Sequence, residues 1–339
     1  MPRPKAGRAL AMTARSSYRN EKRVWKGILI PMPQKAIVIS NCQCFPLACA
    51  LTAMSADTVF DYWAVHLADG KDRAETIAAF VAGVKHTYDL VLTIPLSDQY
   101  LDLSTNRVRA TFSGLPIVFI SNIVFSGFHP DLCYIFEGNR VVQGALGDYH
   151  SRVALYGFLK GMDEKSTALL FSESVFEQIG YFEEYNKSLN ELTRRDLVTD
   201  IPVTLLLQKM LQRCLCFYST NHPTSAVFIN YAKVIVQFLE SKGLCEDSGL
   251  PPDPAFDEGS LIMSPVFPIY PPLAKRHHIG QFGSYTFKPG GERKNPLSLE
   301  RFLRQEFASL REIGIESLSR TVIARETMAL FEKHSVTAS

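Results

Sequence analysis

Ala36-Ile37-Val38-Ile39-Ser40 runs directly into Asn41-Cys42-Gln43, and then into Cys44-Phe45-Pro46-Leu47-Ala48-Cys49-Ala50-Leu51-Thr52-Ala53-Met54. A β-branched run that breaks at a polar residue reads as a buried strand, and the small and apolar residues from Gln43 to Met54 are those of a buried helix. Strand, sharp turn and helix follow one another here. Working outward, Val59 to His66 reads as a second strand, and Asp72-Arg73-Ala74-Glu75 supplies a capping box for a helix running to about Tyr88. Asp89 to Pro95 and Pro116 to Ser121 repeat the pattern of buried parallel strands that end in polar loops. The alternation predicts an α/β fold: a mostly parallel central sheet with helices on both faces.

Beyond this unit the chain reads as mostly helical from Asp148 to about Gln212, with a last strand over Cys214 to Thr220 and a helix beginning near Pro223, since proline suits a helix start. Residues 245–296 are rich in Pro and Gly with few regular periods and read as a long arm wrapped on the body. A final helical region begins at Asn295-Pro296 and runs to about Lys333, with a break at Gly314. The expected organisation is a basic, disordered leader over 1–35, an α/β domain over 36–244, and a helical and loop-rich C-terminal extension over 245–339 packed on that domain.

The chain has 339 residues, 46% hydrophobic and 21% charged, which is the balance of a globular protein with a sizeable core. Its net charge of +2 excludes the strong field expected where nucleic acid is the main partner. Residues 1–35 hold nine basic groups against the single acid Glu21, so a leader of +8 precedes a body of −6. No long apolar run in the leader ends at a small-residue cleavage site, so it does not read as a secretory signal, and a transit peptide or translated upstream sequence stays open. The most apolar window, Ala36 to Met54, is interrupted by Asn41, Gln43 and Pro46, and no transmembrane segment is expected. Seven cysteines, an odd number, fit a reducing, cytoplasmic compartment. Neither they nor the histidines fall at zinc-ligand spacing, and no metal is expected.

Ligands of open α/β sheets sit beyond the carboxyl ends of the strands. Four such places carry reactive or hydrogen-bonding groups: Asn41-Cys42-Gln43; the run from Pro95 through Ser97 and Gln99 to Tyr100; Ser121-Asn122 with His129 and Asp131; and Thr220-Asn221-His222. A thiol at a strand end before a helix meets unpaired N–H groups and a positive dipole end, which favour thiolate and could cradle an oxyanion. The alternative for Cys42 is a small buried thiol, and for His222 and Asn122 a turn residue. His129 reads either as a loop histidine or as a ligand contact. His150-Ser151 precedes a helical stretch with Arg152 and Lys160, an arrangement that could hold phosphate or simply cap a solvated helix. Lys275-Arg276 is either a phosphate clamp or a solvated face. No glycine-rich dinucleotide fingerprint or phosphate loop is present, which removes the commonest α/β cofactor classes.

Val38-Ile39-Ser40-Asn41-Cys42-Gln43, Pro95 to Tyr100, and Phe128-His129-Pro130-Asp131-Leu132-Cys133-Tyr134, in that order, resemble the WcbI-type family of polysaccharide-biosynthesis acetyltransferases, over roughly residues 36–240. The resemblance implies an SGNH-hydrolase-like three-layer α/β/α fold, coenzyme A or acetyl-coenzyme A as acyl donor, and a sugar acceptor in capsule or other surface-glycan biosynthesis. It puts Cys42 at the place of the SGNH serine, Asn122 at the loop asparagine, and Ser219-Thr220-Asn221-His222 at the last segment, where Ser219 replaces the usual acid. Asn221 or a backbone carbonyl is left to orient His222. On this reading Cys42, His222 and Asn122 are catalytic. Asn41, Gln43, Ser97, Gln99, Tyr100, His129, His150, Ser151, Lys275 and Arg276 contact the ligand, with Gln43 also stabilising the oxyanion. An esterase or thioesterase, and a non-catalytic coenzyme A or glycan-binding subunit, are the alternatives.

Overall fold

The computed structural model describes residues 34–68, 70–138, 140–250, 264–291 and 295–333, together with one antiparallel pair of two-residue strands at 24–25 and 28–29. The expected disordered leader therefore lies almost wholly outside the described residues. At the centre is a four-stranded parallel sheet of β1 (Gln34–Ser40), β2 (Thr58–Ala64), β3 (Leu90–Thr93) and β4 (Ile117–Phe119), in the order β2-β1-β3-β4. Val38 pairs with Tyr62 on one side and Leu92 on the other, so the strand read first from the sequence is covered on both edges and both faces. That explains its unbroken apolar run.

α1 (Cys44–Met54) follows β1 after a three-residue turn and is buried nearly all round, packed against β2 and α9 (Ser225–Ser241). Pro46 is tolerated in its first turn, where no intrahelical N–H bond is yet required. α2 (Arg73–Thr87) buries Ile77, Val81 and Val84 at helical spacing. Asp72 stands at its N-cap but makes no side-chain bond there, so the capping box read from the sequence is not closed. The chain moves outward from β1 to β2 and then back past β1 to β3. With right-handed crossovers this puts α1 and α2 on opposite faces and opens a crevice at the carboxyl ends of β1 and β3.

After α3 (Val108–Thr111), the helical stretch runs through α4 (Arg152–Leu159), α5 (Glu164–Ala168), α6 (Glu173–Gln178), α7 (Glu184–Asp196) and α8 (Thr204–Met210). The expected last strand is shorter than predicted and does not join the parallel sheet. Phe217–Ser219 turns back on His222–Pro223 as a tight antiparallel pair, with Ser219 opposite His222. Beyond it, α10 (Pro271–Arg276), α11 (Leu299–Ile313), α12 (Ile315–Ser319) and α13 (Val322–Lys333) pack back on the body. Gly314, with φ of 83°, makes the expected break between α11 and α12. No helix among the described residues is long and apolar enough to cross a membrane.

Candidate functional site

The turn after β1 is built around Asn41. Its Oδ1 accepts from the Gln43 N–H at 3.0 Å, its carbonyl accepts from the Cys44 N–H at 3.1 Å, and its Nδ2 donates to Oδ1 of Asn122 at 2.9 Å. Two backbone N–H groups expected to be unpaired beside Cys42 are thus already bonded within the turn. The half-buried Cys42 thiol is pushed up from the ordinary thiol value by burial, against a smaller opposing effect of its own N–H. The expected thiolate-favouring environment is therefore corrected: desolvation outweighs the backbone donors.

Gln43 is buried and its amide joins three segments. Nε2 donates to the Ile123 carbonyl at 2.6 Å and the Asn221 carbonyl at 2.9 Å, while Oε1 accepts from the Ile123 N–H at 3.2 Å. A further backbone bond, Phe125 N–H to Thr220 carbonyl at 2.7 Å, locks the loop after β4 to the 219–222 turn. Residues far apart in sequence are so brought to one sheet end. Both amide hydrogens of Gln43 are used in this way, so its side chain holds the site together and has no donor left for an oxyanion, contrary to expectation. Asn122, with Oδ1 taken by Asn41, keeps its Nδ2 group as the available donor.

His222 is buried at the far side of the cluster, and burial pushes its imidazole down to about 4. Among the described residues no carboxylate bonds it. Its partner is the hydroxyl of Tyr149, 3.2 Å from Nδ1 and 3.5 Å from Nε2. Asn221, expected to orient His222, instead meets Tyr149 through Oδ1 at 3.3 Å, and Ser219 Oγ donates to the same hydroxyl at 3.2 Å. Tyr134 packs edge-on to Tyr149 at 5.5 Å between ring centres. Burial pushes both phenols up from the ordinary phenol value. Sequence reasoning missed both tyrosines as site residues. Tyr134 lay within a quoted motif, whereas Tyr149 carried no local signal.

The remaining candidates lie elsewhere. Ser97 and Gln99 are exposed on the short helical turn Asp98–Leu103 after β3, at the rim of the crevice, and Tyr100 lies under the Arg73 guanidinium at 5.8 Å. The backbone at Leu101 has φ of 51°, a conformation side chains rarely adopt. His129 is 1% exposed, edge-on to Phe267, and burial pushes it down to about 3. His150 is fully buried, with Nδ1 2.6 Å from Glu306 Oε1 and Nε2 3.1 Å from the Val142 carbonyl, so both ring nitrogens are engaged. Ser151 caps α4 through the Ala154 N–H at 3.0 Å. Lys275 pairs with Glu173 at 3.1 Å and Arg276 lies over the Phe182 ring at 5.1 Å, both exposed on α10. In this structure His150 and Ser151 are closed to a ligand by burial and by their partners, and His129 by burial alone, since neither of its ring nitrogens has a hydrogen-bond partner, contrary to expectation. No group of three or more potential metal ligands occurs among the described residues.

A hollow of about 300 Å³ lined by Leu159, Ala324, Met328 and Glu332 lies among the C-terminal helices and shares no residue with the Cys42 cluster. The chemistry-bearing groups meet at the sheet end instead. No curated protein matches the chain. Its fold matches the solved structure of WcbI, described as a novel polysaccharide biosynthesis enzyme, with a TM-score of 0.65 at 17% identity over 89% of this chain and 99% of that one. The form of WcbI in that structure is the native protein without a disulfide bond between coenzyme A and one of its cysteines. At this identity the likeness shows the fold, and membership rests on the sequence: the family model for the polysaccharide biosynthesis enzyme WcbI matches residues 35–244, well over half of the chain, and the protein belongs to the WcbI family.

Proposed function

We propose that the protein is a coenzyme A-dependent acyltransferase that moves acetyl from acetyl-coenzyme A to a sugar hydroxyl in capsule or other surface-polysaccharide biosynthesis. The observation that carries this reading is the joining, through Gln43, of the Cys42 turn, the Asn122 loop and the His222 turn at the carboxyl end of the sheet. The β2-β1-β3-β4 order, with the reactive residue directly after the first strand, also fits an SGNH-like arrangement. Family membership supplies the polysaccharide, and the fold relative described with coenzyme A and a cysteine supports the acyl donor.

The acyl donor enters as substrate. Cys42 loses its proton to neutral His222 as its sulfur attacks the thioester carbonyl, and the Nδ2 group of Asn122 stabilises the oxyanion. The carbon–sulfur bond to the departing thiol breaks, that thiol recovers the proton, and acetyl-Cys42 remains. A sugar hydroxyl, deprotonated by His222, then takes the acetyl group and restores the free thiol. With the thiol pushed up and the imidazole pushed down, the resting pair is neutral, so proton transfer accompanies attack rather than preceding it. Exposed Ser97 and Gln99 and half-buried Tyr100 line the outer crevice, and Lys275 and Arg276 are candidates for phosphate contact only if they leave their present partners.

Thermal unfolding with and without coenzyme A and acetyl-coenzyme A tests the reading, because a ligand of the native state raises the midpoint by mass action. A concentration-dependent rise, absent with an adenine nucleotide of similar charge, is expected; no shift at millimolar ligand overturns it. Cys42→Ala is expected to lower turnover by about 10³ or more and to abolish the acetyl-enzyme seen by mass spectrometry after acid quench. His222→Ala is expected to lower it by about 10²–10⁴. Full turnover in Cys42→Ala sinks the covalent route, and acceptor-independent release of thiol assigns the site to hydrolysis.

A further inference from the structure

An asparagine amide carries a donor and an acceptor that exchange places by a half-turn, so what Asn122 offers the crevice depends on what fixes its amide. The fixing point is a backbone group. The Gln43 N–H can only donate, and it meets the Asn41 side chain at 3.0 Å, which makes that atom of Asn41 the oxygen Oδ1. The other end of the Asn41 amide is then its NH2 group, and this stands 2.9 Å from the Asn122 side chain. A donor at that distance requires an acceptor, so Oδ1 of Asn122 faces Asn41 and Nδ2 faces away from it. Among the described residues no group bonds this Nδ2, and it is not one of the buried polar atoms that lack a partner, so it remains accessible. The backbone on either side of Asn122 is held as well: the Ser121 N–H donates to the Tyr231 hydroxyl at 2.7 Å, and the Ile123 N–H donates to Gln43 Oε1 at 3.2 Å.

We propose that Asn41 is the positioning residue of the oxyanion donor: anchored by the Gln43 N–H, it sets the Asn122 amide with Nδ2 outward and blocks the half-turn that would put Oδ1 there. The proposal rests on Asn122 being the donor in the acyl transfer proposed above. It gives Asn41 a different part from the ligand contact expected of it, one played through Asn122. A turned Asn122 would set two NH2 groups against each other and aim a lone pair at the developing negative charge. With the amide held, the donor is in place before the reaction and need not reorganise during it.

Neutron diffraction from crystals of the full chain exchanged into heavy water locates the amide deuterons directly. Deuterons are expected on the Asn41 atom that faces Asn122, and on the Asn122 atom that faces away from Asn41. A deuteron carried by Asn122 toward Asn41 overturns the proposal. Kinetics test the consequence. Asn41→Ser keeps an oxygen for the Gln43 N–H but is too short to reach Asn122. It is expected to lower kcat about tenfold or more, with KM for acetyl-coenzyme A unchanged and the ligand-induced thermal shift retained. Asn122→Ala is expected to lower kcat by about 10²–10³, and in that background Asn41→Ser should remove no more than about a further twofold. The same loss in both backgrounds makes the role of Asn41 merely structural and overturns the proposal. Asn41→Asp presents only acceptors, so Asn122 must turn Nδ2 inward, and kcat is expected to fall at least as far as in Asn122→Ala. Turnover of Asn41→Asp within about threefold of wild type overturns the proposal, and if that variant does not fold the Asn41→Ser pair decides. Full turnover in Asn122→Ala, or absence of any coenzyme A-dependent shift or transfer, overturns the functional reading instead, and the deuteron positions still decide what Asn41 fixes.

Discussion

The Cys42 thiol is held in its protonated form by burial, and this has a direct chemical consequence. Thiolate is the reactive species, so alkylation of Cys42 by iodoacetamide at pH 7.5, followed by peptide mapping, is expected to be at least about tenfold slower than that of an exposed free thiol. Its rate should still be rising with pH above the ordinary thiol range. A rate plateau near neutrality would show that the turn stabilises thiolate after all. Gln43 next door tests a different property, the cohesion of the site. Its truncation leaves the buried Ile123 N–H and carbonyl without partners, and frees one side of the 219–222 turn. Gln43→Ala should lower stability by about 2–4 kcal/mol in urea unfolding.

Between elements, the same joining role falls to Asp131. Its Oδ1 accepts from the Val153 N–H at 2.8 Å and the Tyr181 hydroxyl at 2.9 Å, and Oδ2 accepts from the Tyr270 hydroxyl at 2.6 Å. One buried carboxyl thus binds the start of α4, the segment before α7 and the N-cap of α10. Asp131→Ala should cost about 3–5 kcal/mol in urea unfolding, because three buried donors lose their acceptor together, and Tyr270→Phe about 2 kcal/mol. The sequence showed the elements whose identity is local. β1 with its turn, α2 with its apolar spacing, and the break at Gly314 follow from β-branching, periodicity and glycine chemistry. It could not show that Asp131 would be a buried fastener, since its partners Tyr181 and Tyr270 are 50 and 139 residues away. The Phe217–Ser219 and His222–Pro223 pair is too short for any pattern to declare its direction. Cys42, Asn122 and His222 were legible as strand-end or turn residues, whereas Tyr149 became visible only through contacts 70 or more residues away.

Across the molecule, histidines mark where distant segments meet. His129 faces Phe267 and His150 bonds Glu306 of α11, so both link the 36–244 segment to the chain beyond it, while His222 closes the site. Their charges respond to pH in opposite senses. His129 and His222 are pushed down by burial to about 3 and about 4, below the unfolded value of about 6.5. As pH falls below about 6.5 the unfolded chain binds protons that the folded one does not, so each group removes about 1.4 kcal/mol of stability per pH unit until its folded value is reached. Burial disfavours charge on His150 too, but the Glu306 carboxylate and the Val142 carbonyl, both acceptors, outweigh it and raise the group. Its contribution is complete below about 6.5 and is lost as pH rises through the raised folded value. Urea midpoints measured from pH 5 to 9 should therefore fall on both sides of a maximum. Glu306→Gln should remove the alkaline fall assigned to His150, lower stability near neutrality by about 3–5 kcal/mol, and leave the acid limb in place. If the acid limb vanished in that variant, it would arise from the Glu306 pair and not from His129 and His222. A curve flat from pH 7 to 5 in the wild type would mean that both buried imidazoles take up protons in the folded protein as readily as in the unfolded chain.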